Sequence, residues 1–257
     1  MSQHPGPRIL VRRPAATLAA GLVMGERQAV DVGVAHRQWA DYVAAFLAAG
    51  WSAVPVPTAD DLADSVFVED PVAVFGDLAV ITHPGAPSRR PETEAVEPLV
   101  RELGFEVARI EDPGTLEGGD VLKIGRDVYV GTGGRTNEDA VAQLRTLLSP
   151  RGWRVTGIPL QGVLHLKSAI TALPDGTVLA AGEFSSAPLP FDRLLTVPEP
   201  EGAHVVLLGG DRLLMSASAP QSVALLEARG FTVVPVEIGE FEKLDGCVTC
   251  LSVRLRG

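Results

Sequence analysis

Gly152-Trp153-Arg154-Val155-Thr156-Gly157 decides the reading of the fold, because its pattern recurs. A glycine followed by a large aromatic and a short apolar run also stands at Gly50-Trp51-Ser52-Ala53-Val54-Pro55, Gly104-Phe105-Glu106-Val107-Ala108-Arg109 and Gly230-Phe231-Thr232-Val233-Val234-Pro235. Glycine ends a helix well because it reaches positive φ without a steric cost. The residues before each glycine fit that role. Apolar positions recur at three- and four-residue spacing over 37–49, 92–103, 137–148 and 220–229, the period of an amphipathic helix. Before each helix comes a strand-like run, at 8–12, 78–82, 128–131 and 212–216. The unit is therefore strand, helix, strand, entered through a Gly-aromatic junction.

A fifth, degenerate copy fits between the third and the last. It consists of 169–173, a Pro174-Asp175-Gly176 turn, 177–181, and then Leu194-Leu195-Thr196-Val197-Pro198, with no long helix. Asp and Gly suit a tight hairpin, Gly by its positive φ and Asp by capping the turn. The final run, 249–255, alternates as a closing strand that can pair with the first unit. Any α/β protein repeats strand–helix–strand, but the four Gly-aromatic junctions favour true repeats. Five such units closed in a ring leave few exposed sheet edges. The expectation is one α/β domain over residues 1–257, a five-bladed pseudo-symmetric α/β propeller whose centre gathers residues far apart in sequence.

Composition narrows the function. The 257 residues carry 32 Asp and Glu against 22 Lys and Arg, a formal charge of −10, which disfavours nucleic acid and anionic lipid and mildly favours a cationic small molecule. No apolar run reaches the length of a membrane span. The apolar stretch 15–24 after Arg12 and Arg13 has the flavour of a signal peptide, but it is short and lacks a clear cleavage site. The two cysteines, Cys247 and Cys250, cannot make a disulfide framework, so a cytoplasmic location is expected. Nor do they make a zinc site, which needs two more ligands at suitable spacing.

Several loops carry reactive or charged groups. Cys250 follows the Asp245-Gly246 turn and is expected to start a strand; a free cysteine is more often a buried small hydrophobe. His165 is a lone imidazole in an apolar run, for which a satisfied core histidine is the plainer reading. Leu116-Glu117-Gly118-Gly119-Asp120 pairs carboxylates with two glycines that permit close backbone approach to a ligand. Glu69 and Asp70 end an apolar run read as a strand, where a polar cap would be the ordinary explanation. Arg89, Arg90 and Arg135 lie in turn-rich loops, the usual place for a solvated cation. Each loop falls at a repeat junction, so ring closure would bring them together. A thiol, an imidazole, carboxylates for a planar cationic head and arginines for a carboxylate tail describe a site for an arginine-like amino acid.

The same residues carry a resemblance. Residues 64–71, 81–90, 116–121, 135–137, 164–167 and 245–250 resemble, in order and spacing, the dimethylarginine dimethylaminohydrolases of the pentein, or guanidine-modifying, superfamily. The residues 182–204 show no family signature. The resemblance implies a five-bladed propeller and hydrolysis of Nω-methylated arginine to citrulline. It puts the nucleophile on Cys250, the acid/base on His165 and its acidic partner on Glu117. It puts guanidinium contacts on Asp70 with Glu69 beside it. The amino-acid end falls to Asp64, Arg89, Arg135 and the backbone near Leu22 and Leu244. It gives Cys247 no role and calls for no metal and no cofactor. The expected partner is a small cationic amino acid, with neither nucleic acid nor membrane, in a monomer or homodimer. Three alternatives share part of the pattern: an arginine deiminase, an amidinotransferase, and a non-catalytic propeller that binds a macromolecule. The first two are usually longer chains, and the last has no need of a Cys, His and carboxylate set.

Overall fold

Five sheets of three strands make up the computed structural model, which describes residues 6–185 and 189–255. The strands are β1 Arg8–Val11, β2 Ser52–Pro55, β3 Val72–Phe75, β4 Leu78–Ile81, β5 Glu106–Arg109, β6 Val121–Ile124, β7 Asp127–Thr132, β8 Arg154–Pro159, β9 Ile170–Ala172, β10 Val178–Ala180, β11 Leu194–Thr196, β12 Val205–Gly209, β13 Arg212–Ser216, β14 Thr232–Val236 and β15 Val253–Leu255. The sheets β3-β4-β5, β6-β7-β8, β9-β10-β11 and β12-β13-β14 share one plan: an antiparallel hairpin, then a parallel third strand. The remaining sheet follows it too, but its first strand is the C-terminal β15, antiparallel to β1, which in turn pairs parallel with β2. Chain end and chain start thus complete one blade and close the ring.

A parallel pair needs a crossover, and a helix supplies it in four blades. These are α1 Val32–Ala48, α2 Val96–Glu102, α3 Glu138–Leu148 and α4 Pro220–Glu227. The fourth blade crosses with only a short 3-10 turn at Gly182–Ser185 among its described residues, in line with the degenerate repeat. The four junction glycines, Gly50, Gly104, Gly152 and Gly230, all have φ between 77° and 90°. A Cβ at any of them would meet open space, so the constraint is conformational and not steric.

Helix boundaries differ from the sequence reading in two places. Asp31 caps α1, accepting from Val34 N at 2.9 Å, so the helix begins five residues before the expected 37. The expected 92–103 helix is interrupted: Pro87–Thr93 is 3-10 with Pro91 inside it, and α2 starts only at Val96. That break turns Glu92 inward, where it matters for the site.

The apolar core is divided among the blade interfaces. Ile9, Val11 and Trp51 of the first blade pack with Val206, Leu214 and Val236 of the fifth. Leu10 and Val253 face Val72, Val74 and Ile81 of the second. Phe75, Leu78 and Val80 meet Val128, Val130 and Leu144 of the third. Leu122 and Ile158 meet Ile170 and Val178 of the fourth, and Leu179 meets Val205, Leu213 and Met215 of the fifth. Successive residues of one strand serve opposite neighbours: Leu10 packs one way, Ile9 and Val11 the other. Both faces of β3 and β4 are therefore buried, which is why these strands are unbroken apolar runs. The centre of the ring is left to polar side chains.

Candidate active site

The segments that enter the first strand of four of the five blades bring the expected site residues together. Asp64, Glu69 and Asp70 precede β3, Glu117 and Asp120 precede β6, His165 precedes β9, and Cys250 precedes β15. Two of these segments differ from expectation. Residues 65–70 are successive turns and not the end of a strand: Phe67 N bonds Asp64 O, and Asp70 N bonds Phe67 O. Cys250 likewise closes a turn, its N donating to Cys247 O at 3.1 Å, and the strand begins only at Val253. Turns place these side chains because a strand entering the ring would point alternate residues into the blade interfaces.

An open cavity of about 370 Å³ has Cys250, His165, Asp70 and Asp64 in its wall, with Arg89 and Arg135. Leu22, Met24, Leu244 and Asp245 also line it. Asp245, at φ 57°, accepts from Met24 N at 2.6 Å and ties these two segments together.

His165 Nε2 lies 2.7 Å from Glu117 Oε2, and Nδ1 lies 4.0 Å from Asp70 Oδ1. Burial disfavours the imidazolium, but Asp70, the Glu117 hydrogen bond and Asp120 outweigh it and push His165 up to about 9. Nε2 is committed to Glu117, so Nδ1 is the nitrogen left to serve a substrate. The Gly118-Gly119 pair is explained here, though not by approach to a ligand. A Cβ at Gly119 would stand 2.4 Å from His165 Nδ1, and one at Gly118 would stand 2.0 Å from Glu69 O. The glycines let the imidazole and the neighbouring turn lie against the backbone.

Asp70 accepts from Gly119 N at 2.8 Å and from Arg89 Nη1 at 2.6 Å. Burial alone would raise its pKa; Arg89 and His165 overcome this and hold it at about 2, so it stays ionised. Arg89 is 5% exposed and fully engaged, with Asp70, the Glu92 carboxylate at 2.8 and 3.0 Å, and the Asp64 and Phe67 carbonyls. Arg135 is freer. Its only polar contact described is Glu117, at 3.3 Å, and its side chain is 24% exposed. Asp64 accepts from Leu22 N at 3.0 Å, and Gly21 is required beside it because a Cβ there would lie 2.8 Å from Asp64 Oδ1.

Glu69 stands apart from the other expected site residues. Its carboxylate pairs with Lys167 and accepts from Thr249 Oγ1 at 2.9 Å, and it does not line the cavity. Cys250 Sγ lies 3.4 Å from Cys247 Sγ and 3.5 Å from Cys247 N. The Cys247 contact, burial, and the nearby Glu69 and Asp70 carboxylates all push the Cys250 thiol up, so without a cation in the cavity it stays protonated.

The sequence reading gave two supports no role. Asp120 Oδ1 accepts from Leu166 N at 2.9 Å and Oδ2 from Thr136 Oγ1 at 2.6 Å, while Thr136 Oγ1 accepts from Glu117 N at 3.1 Å. One buried carboxyl thus braces both members of the His165–Glu117 pair. Tyr42 of α1 donates to Val248 O at 2.7 Å and contacts Ser252 Oγ at 2.8 Å, holding the Cys250 turn from behind. No sequence signal marks Tyr42. Asp120 stood out only as the carboxylate that closes the Gly-Gly turn.

Asp70, Glu117 and His165 offer ligand atoms within 4.8 Å of one another. They are poorly suited to a resident metal, because Arg89 and Arg135 already share the carboxylates and His165 favours its protonated form.

A thiol, a carboxylate-oriented imidazole and a buried ionised aspartate in one cavity define a guanidine-modifying hydrolase site on a pentein propeller. Comparison with known proteins agrees. The family model described as arginine deiminase matches residues 55–205. The chain is 58% identical to N(G),N(G)-dimethylarginine dimethylaminohydrolase of Streptomyces coelicolor, over 98% of each. A crystal structure of a dimethylarginine dimethylaminohydrolase His-to-Gly variant, in an adduct with S-methyl-L-thiocitrulline, superposes with TM-score 0.91 at 35% identity, covering 96% of this chain and 99% of the other. So does that of a Cys-to-Ser variant of the Pseudomonas aeruginosa enzyme complexed with citrulline, with TM-score 0.91 at 35% identity, covering 96% and 98%. The chain belongs to the dimethylarginine dimethylaminohydrolase family.

Proposed function

We propose that the chain hydrolyses Nω-methylated arginine, both asymmetric dimethylarginine and monomethylarginine, to citrulline and dimethylamine or methylamine. Cys250 is the nucleophile, His165 the acid/base and Glu117 its partner. The observation that carries this reading is the shared cavity of Cys250, His165 and the ionised Asp70.

A guanidinium carbon is a poor electrophile because resonance spreads its charge, so water alone attacks it too slowly. Asp70 holds the guanidinium nitrogens, with the carbon presented to Cys250. The cationic substrate offsets the carboxylates that keep the thiol protonated, and the thiolate forms as the substrate seats, its proton lost to solvent. Sulfur adds to the carbon. Imidazolium His165 donates its Nδ1 proton to the amine nitrogen, the C–N bond breaks and the amine departs, leaving a Cys250 thiouronium. Neutral His165 then takes a proton from water and hydroxide adds to the same carbon; the adduct's O–H proton passes to the sulfur as the C–S bond breaks, and citrulline leaves with the Cys250 thiol restored. Glu117 keeps Nε2 protonated throughout. Arg135, the less committed arginine, is suited to the substrate carboxylate, with Arg89 behind Asp70 and with Asp64 and the backbone near Leu22 and Leu244 at the amino-acid end. Glu69 acts from behind the Cys250 turn. No step calls for a metal or cofactor, and exhaustive chelation is expected to leave turnover unchanged.

Among the described residues no helix is long and apolar enough to cross a membrane. We place the enzyme in the cytoplasm, as a monomer or homodimer of one catalytic domain, with no nucleic-acid partner. Citrulline release from asymmetric dimethylarginine, monomethylarginine and arginine, measured side by side, tests the reading. Turnover of the methylated substrates is expected; preference for free arginine would make it a deiminase.

A further inference from the structure

Cys247 has no part in the reaction above, yet it is buried directly against the nucleophile. The two sulfurs are 3.4 Å apart. The backbone between them is a tight turn, Cys250 N donating to Cys247 O at 3.1 Å. A turn of four residues keeps its end Cα atoms within about 7 Å, and a disulfide spans Cα separations of about 4.4–6.8 Å. Closing the bridge needs the sulfurs to approach by about 1.4 Å, with no rearrangement of the chain path.

Hydrogen-bond polarity orients the pair. The Glu69 carboxylate, paired with Lys167, can only accept, so Thr249 donates to it at 2.9 Å. Thr249 Oγ1, 3.3 Å from Cys247 Sγ, is then left to accept the Cys247 proton. The chain has no other cysteine, so no competing thiol is present.

We propose that Cys247 and Cys250 form a reversible oxidation site, in which a hydroperoxide entering the cavity drives Cys250 into a disulfide with Cys247. The Cys250 thiol attacks the peroxide O–O bond, giving Cys250 sulfenic acid, and its proton leaves with the departing oxygen as water, or as an alcohol from an organic peroxide. Cys247 sulfur then displaces the sulfenic oxygen, which leaves as water with the Cys247 proton. The peroxide is reduced and two thiols are oxidised to one disulfide; an external dithiol reverses it by thiol–disulfide exchange. The bridge removes the nucleophile from the reaction and shields Cys250 from irreversible sulfinic and sulfonic oxidation. Loss of activity rests on the Cys250 reading above; formation of the bridge does not.

The test treats the whole protein with hydrogen peroxide, caps free thiols with N-ethylmaleimide, and records intact mass and activity before and after dithiothreitol. The expected wild-type product is uncapped, about 2 Da lighter than the reduced chain, inactive, and restored by dithiothreitol. Cys247→Ser, and Cys247→Ala as a second variant, should instead gain about 32 or 48 Da and recover roughly tenfold less activity. Wild-type sulfinic acid without the lighter species would overturn the proposal, as would equal recovery in the variants. A bridge that forms while activity persists would instead overturn Cys250 as nucleophile, and with it the inactivation.

Discussion

His165 Nε2 and Glu117 Oε2, 2.7 Å apart and both buried, form the hydrogen bond on which the proposed acid/base chemistry turns. The bond fixes which nitrogen faces the substrate and helps keep the ring charged.

Glu117→Gln keeps the shape and removes the charge. His165 should then titrate below its value of about 9, and turnover should fall by roughly 10²–10⁴. The alkaline limb of kcat, where the leaving amine loses its acid, should move to lower pH. An unmoved limb would separate Glu117 from the proton transfer.

The same shift has a stability consequence. Imidazole rises from 6.5 to about 9 on folding, so its stabilising contribution is complete below about 6.5 and is lost as pH rises through about 9. Denaturation of wild type and His165→Asn should therefore differ more at about pH 6 than at about pH 10. A constant difference would mean that His165 is not preferentially protonated in the fold.

Arg89 and Arg135 should respond differently to truncation. Arg89 is buried among Asp70, Glu92 and carbonyl oxygens, so Arg89→Ala should cost about 3–5 kcal/mol of stability. Arg135 is partly exposed with one partner, so Arg135→Ala should fold normally and raise KM. Denaturant unfolding together with steady-state kinetics distinguishes the two; comparable stability losses would contradict the division of roles.

Asp120→Asn tests the brace beneath the dyad. One amide oxygen can still accept from Leu166 N or from Thr136, but not from both, and Thr136 is the link to Glu117 N. kcat should fall with KM little changed, and the alkaline limb should shift as His165 loses a nearby charge. A fall in stability with an unshifted pH profile would make Asp120 merely structural.

The blade plan was legible because its signals are local. The glycine at each helix end and the aromatic after it depend only on backbone conformation and one apolar contact, and all four took the expected positive φ. The first strands β3, β6 and β12 were not picked out; in β3, burial on both faces erases the alternation that marks a strand. Cys250, His165, Glu117, Asp70, Asp64, Arg89 and Arg135 were read as one site and do converge. What sequence could not show is how each is used. Glu69 and Asp70 are adjacent, yet one turn sends Asp70 into the cavity and Glu69 to Lys167. Arg89 looked like a free cation until Glu92, brought inward by the break before α2, was seen to claim it. Such pairings cross blades, and only the closed ring creates them.

The central claim is a covalent bond between Cys250 and the substrate carbon. Acid quenching of wild-type enzyme during turnover of asymmetric dimethylarginine, followed by intact-protein mass spectrometry and peptide mapping, tests it directly. The expected species carries the mass of substrate minus dimethylamine on Cys250, is lost in Cys250→Ser, and is scarce early in His165→Gly, which cannot protonate the departing amine. Turnover with no adduct at any quench time or pH would contradict the account, leaving direct attack by water and reducing Cys250 to a binding residue.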